Sequence, residues 1–593
     1  MRVKLRADAH CAPVPRGVYW SRGDRSFVLS GPPALYTLLD GQLDALLNGT
    51  SVDEMVTAAG SEAARPVFEH VVRTLVAQDV LIDLDAVDGP LPDAETARTH
   101  FELLCYLESH CTEPYRAFAA VRAARVAVVG RGAAADSVRR GLAAIGTGEV
   151  VDLQLPRESA DGATLVVLVD DCDHRLDQLA AAASLPPGTP TLPVSAEQGF
   201  ALVGPLCADR EELRSFQAVR DRAAGWQRSG AESPAPRPIS AVLAGSLAAQ
   251  TVLTRLAGTE DGRRTALVVY GHAVQTRVVP VPDAVPGPLW RPVDVAETMA
   301  ATSGSDARSG SDAGSADSVD AQEVHRLAVA LTTRWTGIAR WGRDLDLPQL
   351  PVCLVTAESL AGHGPSAADA VGPSCLGWGH NRAAAGLSAV LAVLRHRAEQ
   401  EHEGGDDGGR GLACAGLSPA HLLTDGLLRH AGRDALQEAE GTLLTWDTTE
   451  NSAVRAQLSM LRDFFDTPAE VRVRTVPGLD WHLVSVVHEV TGATLATQWG
   501  PSAMSAAYAA LLAATGRAQF RLAEKTTPQP PILPPDEVGT WTLEIVPERQ
   551  VRDCLHQLVD WASTLGANAT VRRLSRDEAV GELPLACGWV ALG

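Results

Sequence analysis

The 593-residue chain contains little lysine, few aromatic residues and no long uninterrupted apolar run. Lysine occurs only at Lys4 and Lys525, and aromatic residues make up 5% of the chain. No run of 18 apolar residues is found, so the sequence predicts no membrane-spanning helix and no membrane partner. The first residues, Met1 to Arg6, have no apolar stretch behind them of the kind that signal peptides carry. We therefore expect a cytoplasmic protein.

Motifs for metal binding and for catalysis are also missing. The ten cysteines include no Cys-x-x-Cys pair, and the closest two are Cys105 and Cys111. This excludes the commonest zinc spacing and argues against a disulfide framework. No His-Glu-x-x-His, Gly-x-Ser-x-Gly or Walker A motif occurs. We therefore predict no metal site and identify no catalytic residue from motifs alone.

Charge and composition narrow the class of protein further. The net charge is −21, from 72 acidic and 51 basic residues. Such a surface repels phosphate backbones, so nucleic acid is not expected as a partner. Hydrophobic residues make up 46% of the chain, which is typical of globular domains. The length suggests about four domains or three with one large.

The first predicted domain covers residues 1–90. Short β-rich runs, Gly17–Trp20 and Ser26–Leu29, flank a turn-rich segment and predict a hairpin. Three helical patterns and a closing strand follow. They cover residues 34–47, 52–59 with Ser51 as N-cap, 63–78 and 80–84. A hairpin, three helices and a strand are the layout of a small winged-helix domain.

The second predicted domain, residues 91–300, reads as a doubly wound α/β fold. A buried strand at 124–129 runs into Gly130-Arg131-Gly132 and then into a helix. The third glycine of a Gly-x-Gly-x-x-Gly motif is replaced by Ala135, and the carboxylate of Asp136 is hostile to phosphate. Asp152 could be the acidic partner of a nucleotide. The favoured interpretation is a retained fold without its ligand, with nucleotide binding as the alternative.

The segment Asp170-Asp171-Cys172-Asp173-His174 follows another strand and has the composition of a metal cluster. Adjacent residues of a strand point to opposite faces, so few of these side chains could converge. A solvated loop is the favoured interpretation.

Residues 301–320 are rich in Ser, Gly, Asp and Ala and predict a flexible linker. The last domain, residues 321–593, mixes long Ala/Leu helices with strands. Those strands are predicted at Val352–Thr356, Arg472–Val476, Trp481–Val487 and Trp541–Val546. Gly377-Trp378-Gly379 and Trp499-Gly500-Pro501 each precede an Ala-rich helix, which suggests a weak internal pseudo-symmetry.

The order of these domains resembles the fused azoline cyclodehydratases, which convert Cys, Ser and Thr of ribosomally made peptides into thiazoline and oxazoline rings. Residues 1–90 resemble their leader-peptide recognition domain, or peptide clamp. Residues 125–290 resemble their ThiF-like domain, through Val203-Gly204-Pro205-Leu206 and the segment 214–220. Residues 321–593 resemble the YcaO domain, which uses ATP to phosphorylate the backbone amide oxygen.

The chain departs from this pattern where the family binds metals. Phe216–Val219 stands where the first pair of zinc cysteines would be, and Pro282–Pro288 contains no cysteine for the second. The aligned positions of the YcaO domain's magnesium-binding glutamates are occupied here by Ala392, by Arg395, and by Ala513 or Ala514. The aligned position of its arginine is occupied by His396. Alanine cannot bind magnesium, and Arg395 reverses the required charge.

With these departures the chain resembles the ocin-ThiF-like, or F-protein, type of partner found in thiopeptide and related azole biosynthesis. The resemblance implies a non-catalytic protein without cofactor or metal, which binds the precursor's leader and recruits it to a separate YcaO cyclodehydratase. Two alternatives stay open: the chain is itself an ATP-dependent azoline cyclodehydratase, or it is a ThiF-type adenylating enzyme.

An exposed strand edge can accept an extended peptide as an added strand. We expect the leader to lie between the hairpin and the third helix of residues 1–90. The predicted peptide-binding residues are Phe27, Leu29, Val67, Val71, Arg73 and Leu75. A core role is at least as consistent with the spacing of Val67, Val71 and Leu75, whereas Arg73 could pair with an acidic leader residue.

Overall fold

The computed structural model describes fifteen stretches of the chain. They are residues 1–154, 159–228, 233–260, 262–281, 290–303, 329, 331–342, 347–360, 371–402, 411–438, 440–444, 452–526, 532–533, 536–574 and 585–593. The chain divides into two compact units. Unit 1 comprises Met1–Arg210 and Pro234–Val278, and unit 2 comprises Glu211–Ser233 and Val279–Gly593.

The N-terminal part of unit 1 contains two small sheets and four helices around one apolar core. Its elements are β1 (Arg2–Leu5), β2 (Ala9–Val14), β3 (Gly17–Arg22), β4 (Arg25–Ser30), α1 (Ala34–Asp40), α2 (Leu43–Asn48), β5 (Thr50–Ser51), α3 (Val52–Ala59), α4 (Arg65–Ala77) and β6 (Leu81–Asp83). The sheets have the orders β5-β1-β6 and β2-β3-β4. The predicted hairpin is confirmed as β3 and β4, whereas the helix predicted over 34–47 is two short helices, because Gly41 ends the first.

Helix α3 shows how local sequence fixes an element. The Ser51 side chain accepts a hydrogen bond from Glu54 N–H, and the Glu54 carboxylate accepts one from Ser51 N–H. This capping box satisfies backbone donors that the first helical turn leaves free. Gly60 ends the helix in the left-handed conformation, with φ 65°.

The rest of unit 1 is a seven-stranded sheet flanked by helices. Its elements are α5 (Ala94–Thr99), α6 (Phe101–His110), α7 (Pro114–Ala123), β7 (Arg125–Val129), α8 (Ala133–Ile145), β8 (Glu149–Leu153), β9 (Leu165–Asp171), α9 (Gln178–Ala183), β10 (Thr191–Ala196), β11 (Phe200–Val203), α10 (Arg210–Arg228, which continues into unit 2), α11 (Ile239–Ala257), β12 (Thr265–Tyr270) and β13 (Gln275–Pro280). The strand order is β13-β12-β11-β10-β9-β7-β8. Strands β8, β7, β9 and β10 are parallel, as a doubly wound fold requires.

Helix α11 is long and apolar enough to cross a membrane by length and composition alone. Its buried face belongs to the core of the seven-stranded sheet, through residues such as Ala244, Ala248 and Val252. Close packing against α8 explains its small residues: a Cβ on Gly245 would lie 2.3 Å from the Ala134 carbonyl oxygen. The helix is a core element of unit 1.

Unit 2 contains three antiparallel sheets and, with α10, seven α-helices among its described residues. Its further elements are β14 (Trp290–Pro292), α12 (Val295–Ser303), β15 (Ala339–Trp341), β16 (Cys353–Leu360), β17 (Val371–Gly379), α13 (Arg382–His402), β18 (Gly411–Gly416), α14 (Pro419–Glu438), β19 (Thr442–Leu443), α15 (Ser452–Ser459), β20 (Ala469–Thr475), β21 (His482–His488), β22 (Thr494–Gly500), α16 (Ala503–Thr526), α17 (Glu548–Thr564), β23 (Ala569–Leu574) and β24 (Ala586–Leu592). The strand orders are β14-β23-β24-β18, β15-β16-β17 and β19-β20-β21-β22.

The predicted pseudo-symmetry corresponds to two strand-strand-helix segments. In each, an antiparallel pair ends in a Trp-Gly sequence and a long helix packs on it: β16, β17 and α13, then β21, β22 and α16. A Cβ on Gly377 would lie 2.1 Å from the Ala385 carbonyl oxygen, and one on Gly500 would lie 2.6 Å from Ala506 N. The glycines let each helix approach its strand.

Two sequence predictions fail or lie partly outside the described residues. The strand predicted at Trp541–Val546 is wrong, because Trp541–Glu544 form a 3₁₀ turn held by Gln498 and the Trp499 carbonyl. Helix α12 extends to Ser303, three residues into the predicted linker, and residues 304–320 lie outside the described residues. The proposed boundaries at 90, 300 and 320 stay predictions.

Candidate functional site

The hairpin of unit 1 offers one strand edge suited to pairing. Strand β4 pairs with β3 and, within the described residues, with no other strand. Gly31 N–H donates to the Arg16 carbonyl oxygen, which fixes the alternation of bonded pairs along the hairpin. The N–H and C=O groups of Ser26, Val28 and Ser30 therefore face away from β3. The opposite edge strand, β2, carries Pro13, which lacks a donor.

The structure separates the six predicted peptide-binding residues into two groups. Leu29, Val71 and Leu75 are buried in the core that the sheets and helices share. Phe27 packs against the same core and is partly accessible, while Val67 is 40% exposed and Arg73 is exposed. Phe27, Val67 and Arg73 are therefore the members that a bound peptide could contact directly, and the other three shape the surface from beneath.

Sequence reasoning missed the accessible outer face of this hairpin. Val28 is 47% exposed and Tyr19, directly opposite on β3, is 36% exposed. The alternation of apolar and polar residues along β4 assigns Phe27 and Leu29 to the core face. The same alternation places Val28, and Tyr19 opposite it, on the other face, and this was the signal available in the sequence.

In unit 1 the Gly-rich turn lies between β7 and α8, as predicted. Gly130 and Gly132 have φ values of 120° and 98°, which favour glycine. A Cβ on Gly132 would lie 2.7 Å from Asp171 Oδ2, so this carboxylate occupies the space beside the turn. Asp171 is buried. A negative charge at this point opposes the approach of a phosphate.

Arg139 engages the two other acidic residues of this region. Its guanidinium pairs with Asp136 and with Asp152, and it donates to the Gly130 carbonyl oxygen over 2.9 Å. Asp152, the possible acidic partner of a nucleotide, is therefore paired with an arginine of helix α8. A hollow of about 640 Å³ adjoins Gly130, Arg139 and Asp152.

The predicted solvated loop holds for Cys172–His174, which are partly or fully exposed, but not for Asp170 and Asp171, which are the buried end of β9. Single ligand atoms of Asp171, Cys172 and Asp173 lie within 4.8 Å of one another. Arg237 already places a cation there: its Nη2 donates to Asp171 Oδ1 over 2.8 Å, and its Nη1 contacts Cys172 and Asp173. Burial raises the pKa of the Cys172 thiol above its ordinary value, although Arg237 acts in the opposite direction. This arrangement disfavours a metal ion.

Unit 2 contains a cavity of about 570 Å³, here called the arginine cavity. Its lining combines five arginines with four carboxylates and several apolar side chains. The charged lining residues are Arg395, Arg429, Arg433, Arg517, Arg521, Glu399, Glu524, Asp536 and Glu537. Cys375 also lines it, and burial raises the pKa of this thiol to about 12, so it is protonated at neutral pH.

A buried ion-pair network forms one wall of the arginine cavity. Asp425 accepts hydrogen bonds from Arg395 Nε over 3.1 Å and from Arg429 Nε over 2.8 Å, and it also accepts from Thr540. Arg429 Nη2 donates to Asp536 over 2.9 Å. Burial alone would raise the pKa of Asp425, but the two arginines and the hydroxyl lower it to about 2. The inner arginines are therefore occupied by the chain's own carboxylates.

Three of the positions aligned with YcaO magnesium and phosphate ligands meet at this cavity. Ala392, Arg395 and His396 all line it. Ala513 is fully buried among apolar residues, and Ala514 faces a separate pocket. Phe216 and Val219, which stand where the resemblance implies the first pair of zinc cysteines, are buried apolar residues. Pro282–Pro288 lie outside the described residues.

Comparison with solved structures identifies the fold. A heterocyclase solved in complex with substrate and cofactor matches with 13% identity and a TM-score of 0.59, covering 100% of this chain and 94% of that chain. The heterocyclase TruD matches with 14% identity and a TM-score of 0.51, at the same coverage. E. coli MccB with succinimide covers 48% of this chain and 98% of its own, with 12% identity and a TM-score of 0.32, too low to carry an argument.

No protein-family model and no curated protein matches the chain. The chain thus has the mixed α/β multidomain fold of these heterocyclases, and the predicted fold class is confirmed.

Proposed function

We propose that this chain is a non-catalytic leader-peptide-binding partner in the biosynthesis of azole-containing peptide antibiotics of the thiopeptide type. It would hold a ribosomal precursor peptide and recruit it to a separate ATP-dependent YcaO cyclodehydratase, which forms the thiazoline and oxazoline rings. The observation that carries this proposal is the open edge of β4 in a chain that shares the heterocyclase fold over its whole length.

The edge of β4 explains how a leader of varied sequence could be held. Backbone groups of Ser26, Val28 and Ser30 offer donors and acceptors that an added strand satisfies without reading side chains. Alternate side chains of that strand would then project toward the face that carries Phe27. Arg73 supplies an exposed positive charge on α4 that could pair with an acidic leader residue.

The arginine cavity supports the non-catalytic part of the proposal. Magnesium prefers carboxylate and water ligands in octahedral geometry. Two of the positions that align with the family's magnesium ligands, Ala392 and Arg395, offer no carboxylate, and the nearby Asp425 and Asp536 are bound to Arg395 and Arg429.

The leader-binding proposal is tested by fluorescence anisotropy with the full chain and the labelled leader of the precursor encoded beside its gene. Val28→Pro removes the outward N–H at the middle of the edge without touching a bond to β3. We expect binding to weaken about tenfold or more, because one hydrogen bond is lost and the proline ring obstructs the edge. Val28→Thr, which keeps the N–H, is the matched control. Equal affinity of the Val28→Pro variant and the unmodified chain would contradict the proposal.

A second candidate function is that the chain itself is the cyclodehydratase, since four carboxylates line the arginine cavity. The two are separated by incubating the purified chain with precursor, magnesium and ATP, alone and with the separate YcaO enzyme. We expect phosphate release and loss of water from the precursor only when both proteins are present. Ring formation by this chain alone would establish the second candidate.

A further inference from the structure

Helix α16 carries two arginines that line two hollows of unit 2 at once. Arg517 and Arg521 are one helical turn apart and so lie on the same face. Both line the arginine cavity, and both line a second pocket of about 260 Å³, here called the Phe464 pocket. We refer to these two residues as the α16 arginine pair.

The guanidinium of Arg517 has few hydrogen-bond partners among the described residues. One Nη donates to the Leu495 carbonyl oxygen, and the guanidinium lies 5.4 Å from the centre of the Trp378 ring. Its Nε is buried without a hydrogen-bond partner among the described residues. Burial lowers the pKa of Arg517 to about 10, although Asp536 acts in the opposite direction. A bound anion would therefore offset the free-energy cost of burying the Arg517 charge, which the folded chain already bears.

The other three arginines of the arginine cavity are paired with carboxylates, and Glu399 and Glu524 also line the cavity. Arg395 and Arg429 hold Asp425 and Asp536, and Arg433 lies 3.5 Å from Glu537. Arg521 is exposed and has no hydrogen bond or ion pair with the described part of the chain. The positive charge available to a ligand is consequently concentrated on the α16 arginine pair.

The Phe464 pocket adds an apolar partner to these charges. Phe464 is 65% exposed, and it lies with its ring centre 4.9 Å from that of Phe465. Residues Met460–Phe464 form a π-helix, and Asp466, an exposed residue that also lines the pocket, has φ 47°. Such irregular segments are frequent at functional sites. Leu495 and Leu522 complete the apolar lining.

We propose that the α16 arginine pair and the Phe464 pocket form a second binding site, for an extended acidic peptide segment with an aromatic or aliphatic residue beside its carboxylates. The carboxylates would pair with Arg517 and Arg521, and the apolar side chain would enter the Phe464 pocket. Two hollows that share one pair of cations fit a chain with successive side chains better than a single compact ligand. This site is in addition to the leader contact at β4 and does not depend on it.

The test uses the full chain and a fluorescein-labelled octapeptide of sequence Gly-Glu-Asp-Leu-Phe-Glu-Asp-Gly. We expect saturable binding that weakens at least tenfold when Arg517 and Arg521 are both changed to glutamine, and that weakens severalfold in Arg521→Gln alone. The exposed position of Arg521 keeps the single variant informative if the double variant fails to fold. Arg549→Gln, an exposed arginine on α17, is the matched control and should bind as the unmodified chain does.

Peptide variants distinguish the contributions. Replacing the acidic residues with Gln and Asn should abolish the effect of Arg521→Gln, and replacing Leu and Phe with Ser should weaken binding to every form of the chain. Unchanged affinity in Arg521→Gln would overturn the proposal. Complete displacement of the peptide by magnesium ATP, with direct nucleotide binding that the same variants weaken, would also overturn it in favour of a nucleotide site. Val28→Pro should leave this binding unchanged.

Discussion

Asp425 is a single residue on which the arrangement of the arginine cavity depends. It is fully buried, and its two oxygens are shared among Arg395, Arg429, Thr540 and the Ala415 N–H. Burying this many charges is costly unless each is paired. The network therefore holds helices α13 and α14 in one relative position while placing two arginines at the cavity wall.

The variant Asp425→Asn should destabilise unit 2 by about 3–5 kcal/mol, because the buried Arg395 and Arg429 would keep only Asp536 as a counter-charge between them. Calorimetric or urea unfolding of the full chain measures this loss. The matched control is Asp553→Asn, which removes an exposed carboxylate 3.9 Å from Arg549 and should cost less than about 1 kcal/mol. A similar loss in both variants would show that the network contributes no more than a surface pair.

Glu544 predicts a pH dependence of stability. Its Oε2 is buried without a partner in the described part of the chain, and burial raises its pKa from 4.5 to about 8 despite Arg395 nearby. The folded chain thus keeps a proton that the unfolded chain releases, so this group lowers stability progressively as pH rises from 4.5 to about 8. Glu544→Gln should raise the unfolding temperature near pH 8.5 and change it little near pH 5. A gain of equal size at both pH values would contradict this assignment.

Glycines in the strand ends determine how the elements of unit 2 pack. Both Trp-Gly sequences lie at the end of a strand that faces the first turns of the following helix. Trp499 Nε1 donates to the Leu428 carbonyl oxygen over 2.7 Å, so the tryptophan ties its strand to α14 while Gly500 admits α16. At the other Trp-Gly sequence, Gly379 likewise admits its helix, α13, whereas Trp378 Nε1 is buried without a hydrogen-bond partner among the described residues.

The variant Gly377→Ala should disrupt the packing of α13 on β17, because its Cβ would lie 2.1 Å from the Ala385 carbonyl oxygen and 2.4 Å from Ala389 N. We expect a loss of several kcal/mol or failure to fold, seen by circular dichroism and thermal unfolding. Gly386→Ala, in the second turn of α13, is the control. Its nearest contact would be the Trp341 side chain at 3.3 Å, and alanine favours a helix by up to about 1 kcal/mol.

At the scale of the whole molecule, the heterocyclase fold and the leader-binding proposal rest on parts of the structure that differ in extent. The fold extends over the entire chain, whereas the two candidate peptide sites involve one sheet edge in unit 1 and one helix face in unit 2. A fold can host several functions, so the function has to be argued from these sites.

The purified chain should contain only substoichiometric zinc by elemental analysis. Four Cys or His ligands would be needed for a structural zinc site. Among the described residues the one cluster with metal-ligand geometry is Asp171, Cys172 and Asp173, which Arg237 already occupies. One zinc per chain that resists dialysis against a chelator would refute this prediction and would point to ligands outside the described residues.

Short-range patterns in the sequence determined several local elements of the fold. The hairpin β3–β4, the Ser51 cap of α3 and the strand-turn-helix around Gly130 were all predicted, because hydrogen bonds between near neighbours and backbone preferences at glycine fix them. The sequence also showed that Ala392 and Arg395 stand at positions aligned with the magnesium-binding glutamates of the YcaO domain.

Only the tertiary structure decided where distant residues meet. It buried Asp171 beside Gly132 and turned Trp541–Glu544 into a 3₁₀ segment. It also brought Arg395, Arg429 and Arg517 to one cavity and paired the first two with Asp425. It also placed Glu211–Ser233 in unit 2, where Trp226 Nε1 donates to the Gly337 carbonyl oxygen over 3.0 Å. Charge pairing and close packing act through space between residues far apart in the chain, so local periodicity and propensity contain no signal for them.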